Sequence, residues 1–284
     1  MMSERKTLLK RLELQEFPQP DILQPKYPIL LCHGFGAVGS LIKPSPLHDP
    51  AMLMREHGVI AFAPNIVPYA SIEVRGLNWI RIIETLVSKY KIQKFNVVAH
   101  SMGGLDMRYA LANSDIGKHV ASLTTVATPH HGTYLANLVL KTPELITEKV
   151  SEVMDWFANN VYPKEKSDTF SSVEQLTMEY VRDVFNPAIR TPEDIPVFSY
   201  SASVGKGTDY ALNPIFKIQN AQIYEHEGAN DSFVSVESAK WGEYLGNVHI
   251  SHLNQINVQV GKEFRQIYLD LWLGIIKTLT ERGF

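Results

Sequence analysis

The chain has 284 residues, of which 45% are hydrophobic and 20% are charged, and its formal net charge at pH 7 is -3. This length and composition are typical of one large globular domain and exclude an intrinsically disordered chain. The weak negative charge leaves no strong basic field to attract nucleic acid or an anionic membrane surface, so we expect no nucleic-acid partner.

The first residues carry no pattern of an export signal. Leu8 and Leu9 are followed at once by Lys10 and Arg11, whereas a secretory signal needs an apolar core of about 7–15 residues. No apolar stretch reaches the roughly 20 residues that cross a bilayer, so we expect no transmembrane segment. As it stands, the chain is expected to be cytoplasmic. The alternative is a secreted protein whose signal peptide has been removed.

Strand-like and helical segments alternate over about the first 130 residues, as in a parallel α/β sheet. The predicted strands lie at 28–32, 59–63, 95–99 and 121–127, and the predicted helices at 50–57, 71–90 and 102–113. Ser71 is a suitable N-cap for the long second helix. Short continuous apolar runs such as 29–32 are typical of buried parallel strands. The pattern predicts a mostly parallel central sheet with helices on both faces.

The alternation stops between residues 134 and 190. Helical, partly charged stretches replace the strands at 135–140, 146–159 and 173–185. The core resumes with a strand at 196–200 and a C-terminal helix whose apolar residues repeat at helical intervals, namely Phe264, Ile267, Leu271, Ile275 and Leu279. We therefore predict a single domain over 1–284 with a helical lid or cap inserted at 134–190. The alternative is an amphipathic segment packed permanently on the core.

The hexapeptide Ala99-His100-Ser101-Met102-Gly103-Gly104 lies where a predicted strand meets a predicted helix. A serine on such a sharp turn is a nucleophile elbow, which needs small residues two positions before and two positions after it. Gly103 meets that need, and Ala99 adds only a methyl group where the common pattern has glycine. The Met102 amide, at the helix start, is positioned to donate to an oxyanion.

A second backbone donor is expected just after the first strand. His33-Gly34-Phe35-Gly36 lies there, and the Phe35 amide is the natural candidate for the other half of an oxyanion hole. The alternative is an ordinary tight turn with a surface histidine.

A nucleophilic serine needs a base and an orienting carboxylate, in the chain order Ser, Asp or Glu, then His for this kind of sheet. Asp231 follows the alternating segment 223–227, which predicts a strand, and His252 follows strand-like 248–250. We therefore predict Ser101 as nucleophile, His252 as general base and Asp231 as the carboxylate. The competing side chains are the histidines His48, His57, His100, His130, His131 and His249 and the acids Asp209, Glu225 and Glu227.

Taken together, the chain resembles the bacterial triacylglycerol lipases of the pseudomonad type, within the α/β-hydrolase superfamily. Six segments occur in the family's order: YPILLCHGF at 27–35, SIEVRG at 71–76, AHSMGG at 99–104, ATPHHGT at 127–133, NDSFVS at 230–235 and NVHISHLN at 247–254. The resemblance implies the α/β-hydrolase fold, the same triad of Ser101, Asp231 and His252, oxyanion donors at Phe35 and Met102, and a mobile lid in the 134–165 region.

The resemblance also implies a structural calcium ion near the catalytic histidine, held partly by an aspartate two residues after it. Here that position is Asn254, and Val258 stands where the family has a further carbonyl donor. Asp209 matches the family's upstream aspartate. Because a lost carboxylate weakens the binding of a hard cation, we expect little or no calcium binding at Asp209 and Asn254, and no cofactor is required for the chemistry.

The expected function is that of a serine carboxylester hydrolase that forms an acyl-enzyme intermediate, most specifically a lipase acting on acylglycerol esters, in part at a lipid-water interface. A short-chain carboxylesterase or thioesterase with the same triad remains an alternative, because the scissile bond is not encoded in the elbow. A non-catalytic binding protein on the same fold is the alternative from another class.

Overall fold

A computed structural model describes residues 20–36, 45–141, 166–258 and 261–284 of the chain. Its centre is a six-stranded sheet in the order β2-β1-β3-β4-β5-β6, in which every neighbouring pair is parallel. The strands are β1 Ile29–Cys32, β2 Ala61–Phe62, β3 Phe95–His100, β4 Val120–Val126, β5 Val197–Ala202 and β6 Glu243–Val248. This arrangement of strands is the predicted mostly parallel central sheet.

The connections between parallel strands are mostly helical, as parallel pairing requires. The helices are α1 His48–Glu56, α2 Ile72–Tyr90, α3 Gly103–Ala112, α4 Tyr134–Lys141, α5 Lys166–Glu174, α6 Met178–Tyr180, α7 Asn186–Ala188, α8 Lys217–Glu227 and α9 Lys262–Glu281. A π-helical turn, Val181–Phe185, joins α6 to α7, and single 3₁₀ turns lie at Asp115–His119, Pro214–Phe216 and Asn254–Ile256. Ser71 caps α2 as predicted, since its hydroxyl accepts the Val74 amide.

Both faces of the sheet are covered, because successive side chains of a strand point to opposite faces. Ile29 and Leu31 of β1 face one apolar cluster, which also contains Trp272 of α9. Leu30 and Cys32 face the other cluster, which contains Trp79 of α2. The predicted sheet with helices on both faces is therefore confirmed, with α1 and α9 on one face and α2 and α3 on the other.

One predicted strand is a helix instead. The segment 223–227 alternates apolar and charged residues, yet it ends α8, whose buried residues are Gln219, Asn220 and Ile223. Five residues are too few to separate a period of two from a period of 3.6. The burial spacing of one and three residues fits a helical face, and Asp231 consequently follows a helix rather than a strand.

The predicted insertion is only partly within the described residues. Its helix at 146–159 lies outside them, so the lid stays a prediction. Further along, Val181, Phe185 and Ile189 are buried in one cluster with Met102 and Leu105. This part of the 134–190 segment therefore packs against the start of α3. None of the helices within the described ranges combines the length and the hydropathy that a membrane crossing requires.

Candidate active site

Ser101 occupies a strained turn between β3 and α3. Its φ is 56°, in the left-handed region that costs a non-glycine residue roughly 1–2 kcal/mol. Neighbouring backbone holds it there, since the Ser101 amide donates to Val126 O at 2.9 Å and the Thr128 hydroxyl donates to Ser101 O at 2.7 Å. A Cβ on Gly103 would lie 2.6 Å from Cys32 O. The close approach of the backbone therefore requires the small residue that was predicted at this position.

The structure brings the three predicted triad side chains into one chain of hydrogen bonds. His252 Nε2 lies 2.9 Å from Ser101 Oγ, and His252 Nδ1 lies 2.6 Å from Asp231 Oδ2. Asp231 and His252 are buried. Since the carboxylate accepts the Nδ1 proton, Nε2 is left with its lone pair towards the serine hydroxyl, as a general base requires.

The Asp231 carboxylate is held by its own loop. Its Oδ1 atom accepts the Phe233 amide at 3.0 Å and the Val234 amide at 2.8 Å. The His252 amide donates to Asp231 O at 3.0 Å, and the Phe233 ring stacks on the His252 ring with centroids 4.9 Å apart. The acid and the base are thus fixed to each other by backbone and by ring contact as well as by their side chains.

Of the three acids that compete with Asp231, two are paired with other groups. Glu227 accepts the Tyr134 amide and the Ser235 hydroxyl at 2.5 and 2.7 Å, and burial raises its pKa. Glu225 is exposed and pairs with Lys206. Asp209 is exposed as well.

The expected oxyanion loop lies directly against the nucleophile. A Cβ on Gly34 would be 2.6 Å from Ser101 Cβ and 2.9 Å from the Met102 nitrogen, so this position excludes any side chain. His33 is buried, which rules out the surface turn that the sequence left open. Its Nε2 accepts the Ile66 amide at 3.1 Å, and burial lowers its pKa to about 3, so the ring is neutral.

Arg75 clamps this loop, a role that the sequence analysis missed. The guanidinium is fully buried and donates to His33 O at 2.8 Å and Gly34 O at 2.9 Å, as well as to the carbonyls of Val67 and Pro68. Its Nε and Nη2 atoms lie 2.9 and 2.8 Å from Asp106 Oδ2 on α3. Arg75 therefore connects the loop before Phe35 to helix α3, which begins beside Met102.

Asp106 takes part in this clamp at an electrostatic cost. Burial raises the pKa of Asp106 to about 6, although the facing Arg75 opposes that shift. Within the described part of the chain its Oδ1 atom has no hydrogen-bond partner. A signal for both residues exists in the sequence, because Arg75 lies on the apolar face of α2 and Asp106 lies between Leu105 and Met107.

The competing histidines occupy other places. His100 is buried, and its Nε2 lies 3.0 Å from Gln255 Oε1. His130 packs between Thr125 and the Trp241 ring. His249 follows β6 and stacks on Tyr210, with ring centroids 4.2 Å apart.

The residues expected to hold calcium do not fit such a site. Asn254 Oδ1 already accepts the Ser251 hydroxyl at 2.8 Å, and Asp209 is the one carboxylate of the expected pair. Over the ranges that the structure describes, no three His, Cys, Asp or Glu side chains come together where they could hold a metal ion. No chemical step is therefore assigned to calcium.

Comparisons with known proteins agree with the fold of the chain. The model of a family described by its α/β hydrolase fold matches residues 27–254. Triacylglycerol lipase 2 of Saccharomyces cerevisiae is 30% identical over 214 residues, 72% of this chain and 60% of that protein. A triacylglycerol lipase of Pseudomonas fragi is 32% identical over 117 residues, 41% of this chain and 39% of that protein. The chain therefore spans less than two thirds of the length of either relative.

Solved structures share the fold at low identity. The lipase of Staphylococcus hyicus superposes with a TM-score of 0.67 at 16% identity, covering 94% of this chain and 98% of that one. A metagenomic carboxyl esterase superposes with a TM-score of 0.72 at 16% identity, covering 95% and 80%.

Proposed function

Because the chain belongs to the α/β-hydrolase fold family, we propose that it is a serine carboxylester hydrolase, and specifically a lipase that cleaves acylglycerol esters. The observation that carries the proposal is the continuous hydrogen-bonded series from Ser101 Oγ through His252 to Asp231. The likeness to triacylglycerol lipases from yeast and Pseudomonas fragi supports the substrate class.

The proposed reaction has two halves. Ser101 Oγ attacks the ester carbonyl carbon while His252 Nε2 takes the hydroxyl proton, which gives a tetrahedral oxyanion and an imidazolium. The oxyanion collapses, the alcohol leaves with the proton from His252, and an acyl-serine ester remains. Water then attacks that ester by the same route and releases the acid. No cofactor takes part.

Three groups of this chain stabilise the charges that develop. The Asp231 carboxylate, 2.6 Å from His252 Nδ1, offsets the imidazolium charge. The amides of Phe35 and Met102 are proposed as donors to the oxyanion, each contributing on the order of 3 kcal/mol to the transition state. Since the Gly34 position touches both Ser101 and Met102, the loop is close enough to serve the same oxygen.

Hydrolysis of p-nitrophenyl esters from acetate to palmitate by the wild type and by Ser101→Ala tests this function. We expect the variant to lose at least a thousandfold in kcat, since a triad without its nucleophile loses covalent catalysis. Ser88→Ala, an exposed serine near the end of α2, is the matched control. Equal rates for Ser101→Ala and wild type on every ester would refute the proposal.

The same series separates lipase from the alternatives. A preference for long acyl chains, with a rise in rate above the solubility limit of the ester, would favour a lipase with an interfacial lid. A preference for acetate or butyrate would favour a short-chain esterase. An acyl thioester turned over faster than the matching ester would favour a thioesterase.

A further inference from the structure

We propose that Gln255 is a positioning residue that fixes the Asp231 carboxylate, and that His100 in turn fixes the Gln255 amide. The inference deepens the proposed function and rests on it, because it concerns how the acid of the same triad is held.

The contact falls on the oxygen that matters for catalysis. Gln255 Nε2 lies 2.9 Å from Asp231 Oδ2, the atom that also accepts His252 Nδ1 at 2.6 Å. The two loop amides of Phe233 and Val234 bind the other oxygen, Oδ1. Gln255 therefore completes the solvation of a buried carboxylate on its reacting side, and it limits rotation of the carboxylate away from the imidazole.

The orientation of the Gln255 amide follows from the carboxylate. An ionised carboxylate accepts hydrogen bonds and donates none, so the amide nitrogen must face Asp231 and the amide oxygen must face away. That oxygen, Oε1, meets His100 Nε2 at 3.0 Å. His100 must then carry its proton on Nε2. Burial lowers the pKa of His100 well below its ordinary value, so this ring is neutral with one proton.

The backbone of Gln255 is also fixed by hydrogen bonds. The residue is completely buried in the 3₁₀ turn Asn254–Ile256, and its amide donates to Ser251 O at 3.1 Å. Its carbonyl oxygen accepts the indole N–H of Trp272, a fully buried residue of α9, at 2.8 Å. The glutamine thus joins β3, the acid loop, the base loop and the C-terminal helix at one point.

This arrangement gives His100 a role that its place beside the nucleophile does not suggest. With a side chain that offers no donor at residue 100, the buried Oε1 atom of Gln255 loses its hydrogen-bond partner. That loss costs free energy and weakens the hold of the amide on Asp231. We expect His100 and Gln255 to act as one unit, so that the effects of changing both fall short of the sum of the single effects.

The test compares four variants on one soluble ester. Gln255→Met keeps the volume of the side chain and removes the donor, so we expect kcat and kcat/KM to fall together by about tenfold or more with KM unchanged. His100→Leu should lose severalfold in kcat. His100→Gln, which restores an N–H donor, should recover most of that loss. Gln266→Met is the matched control, because Gln266 also donates to an aspartate, Asp270, on the exposed side of α9.

The outcomes distinguish a failure of the proposed function from a failure of the positioning role. A wild type without ester hydrolysis would refute the proposed function, whereas an active wild type with an equally active Gln255→Met would refute only the positioning role. If Gln255→Met fails to fold, judged by circular dichroism, the two His100 variants carry the test. Equal losses in His100→Leu and His100→Gln, or a rise in KM with kcat unchanged, would overturn the proposal.

Discussion

Replacing Arg75 by Met should lower both the stability and the catalytic rate, because Arg75 holds Asp106 and the loop before Phe35. The variant leaves Asp106 buried without its cation and leaves the carbonyls of His33 and Gly34 without their donor. Removing one partner of a buried ion pair costs about 3–5 kcal/mol. This is a large part of the roughly 5–15 kcal/mol that stabilises a typical protein. We expect the free energy of unfolding to fall by that amount.

A double variant separates the two consequences. Arg75→Met with Asp106→Leu removes both charges, so its stability should return towards wild type. Its kcat/KM should stay at least tenfold low, because the oxyanion loop still lacks the donor to its carbonyls.

Urea denaturation followed by circular dichroism gives the free energies, and a soluble p-nitrophenyl ester gives kcat/KM. Arg81→Met, at an exposed position of the same helix, is the control and should change neither quantity. A loss of stability below about 1 kcal/mol in Arg75→Met, the range of an exposed pair, would refute the clamp.

Three further outcomes are expected. Gly34→Ala should reduce kcat at least tenfold, since its Cβ would meet Ser101 Cβ at 2.6 Å, whereas Gly274→Ala, where nothing lies within 4 Å of the added Cβ, should leave kcat unchanged. Asp106 has a folded pKa of about 6, above its ordinary 3.8, so the native state binds a proton there that the unfolded state does not, and its contribution to stability grows as pH falls from 6 to 4. The free energy of unfolding of wild type relative to Asp106→Asn, measured by urea denaturation, should therefore rise as the pH falls from 6 to 4. A difference that stays flat or falls would contradict the raised pKa of Asp106. A calcium chelator should leave the esterase rate unchanged, because Asn254 uses its side-chain oxygen internally, and a rate restored only by added calcium would contradict this.

The parts of the fold that could be predicted are those with long or punctuated patterns. Continuous apolar runs gave β1, β3 and β4 within a residue or two, and Ser71 marked the start of α2. The segment at 223–227 misled because five residues fit both periods, and its helical character comes from the residues before it. The strand predicted at 59–63 shrinks to Ala61–Phe62, at the edge of the sheet.

The candidate site divides in the same way. Ser101, Asp231 and His252 could be named because they follow predicted elements in a fixed order, and the structure brings them together. Arg75 could have been noticed as a cation on an apolar helical face. Gln255 offers no such signal, since it lies in a short 3₁₀ turn and its importance depends on contacts 24 and 155 positions away, with Asp231 and His100.

The hydrogen bond between Trp272 and Gln255 affects the order in which the protein folds during synthesis. Helix α9 follows all three triad residues in the chain, and Ser101 and His252 are separated by 151 positions. During synthesis the sheet strands β1, β3 and β4 leave the ribosome long before the turn that carries Gln255 can be held in place. A nascent chain can thus complete most of its sheet while its serine is still an ordinary alcohol. The time course of hydrolytic activity during refolding would then report when helix α9 docks on the sheet.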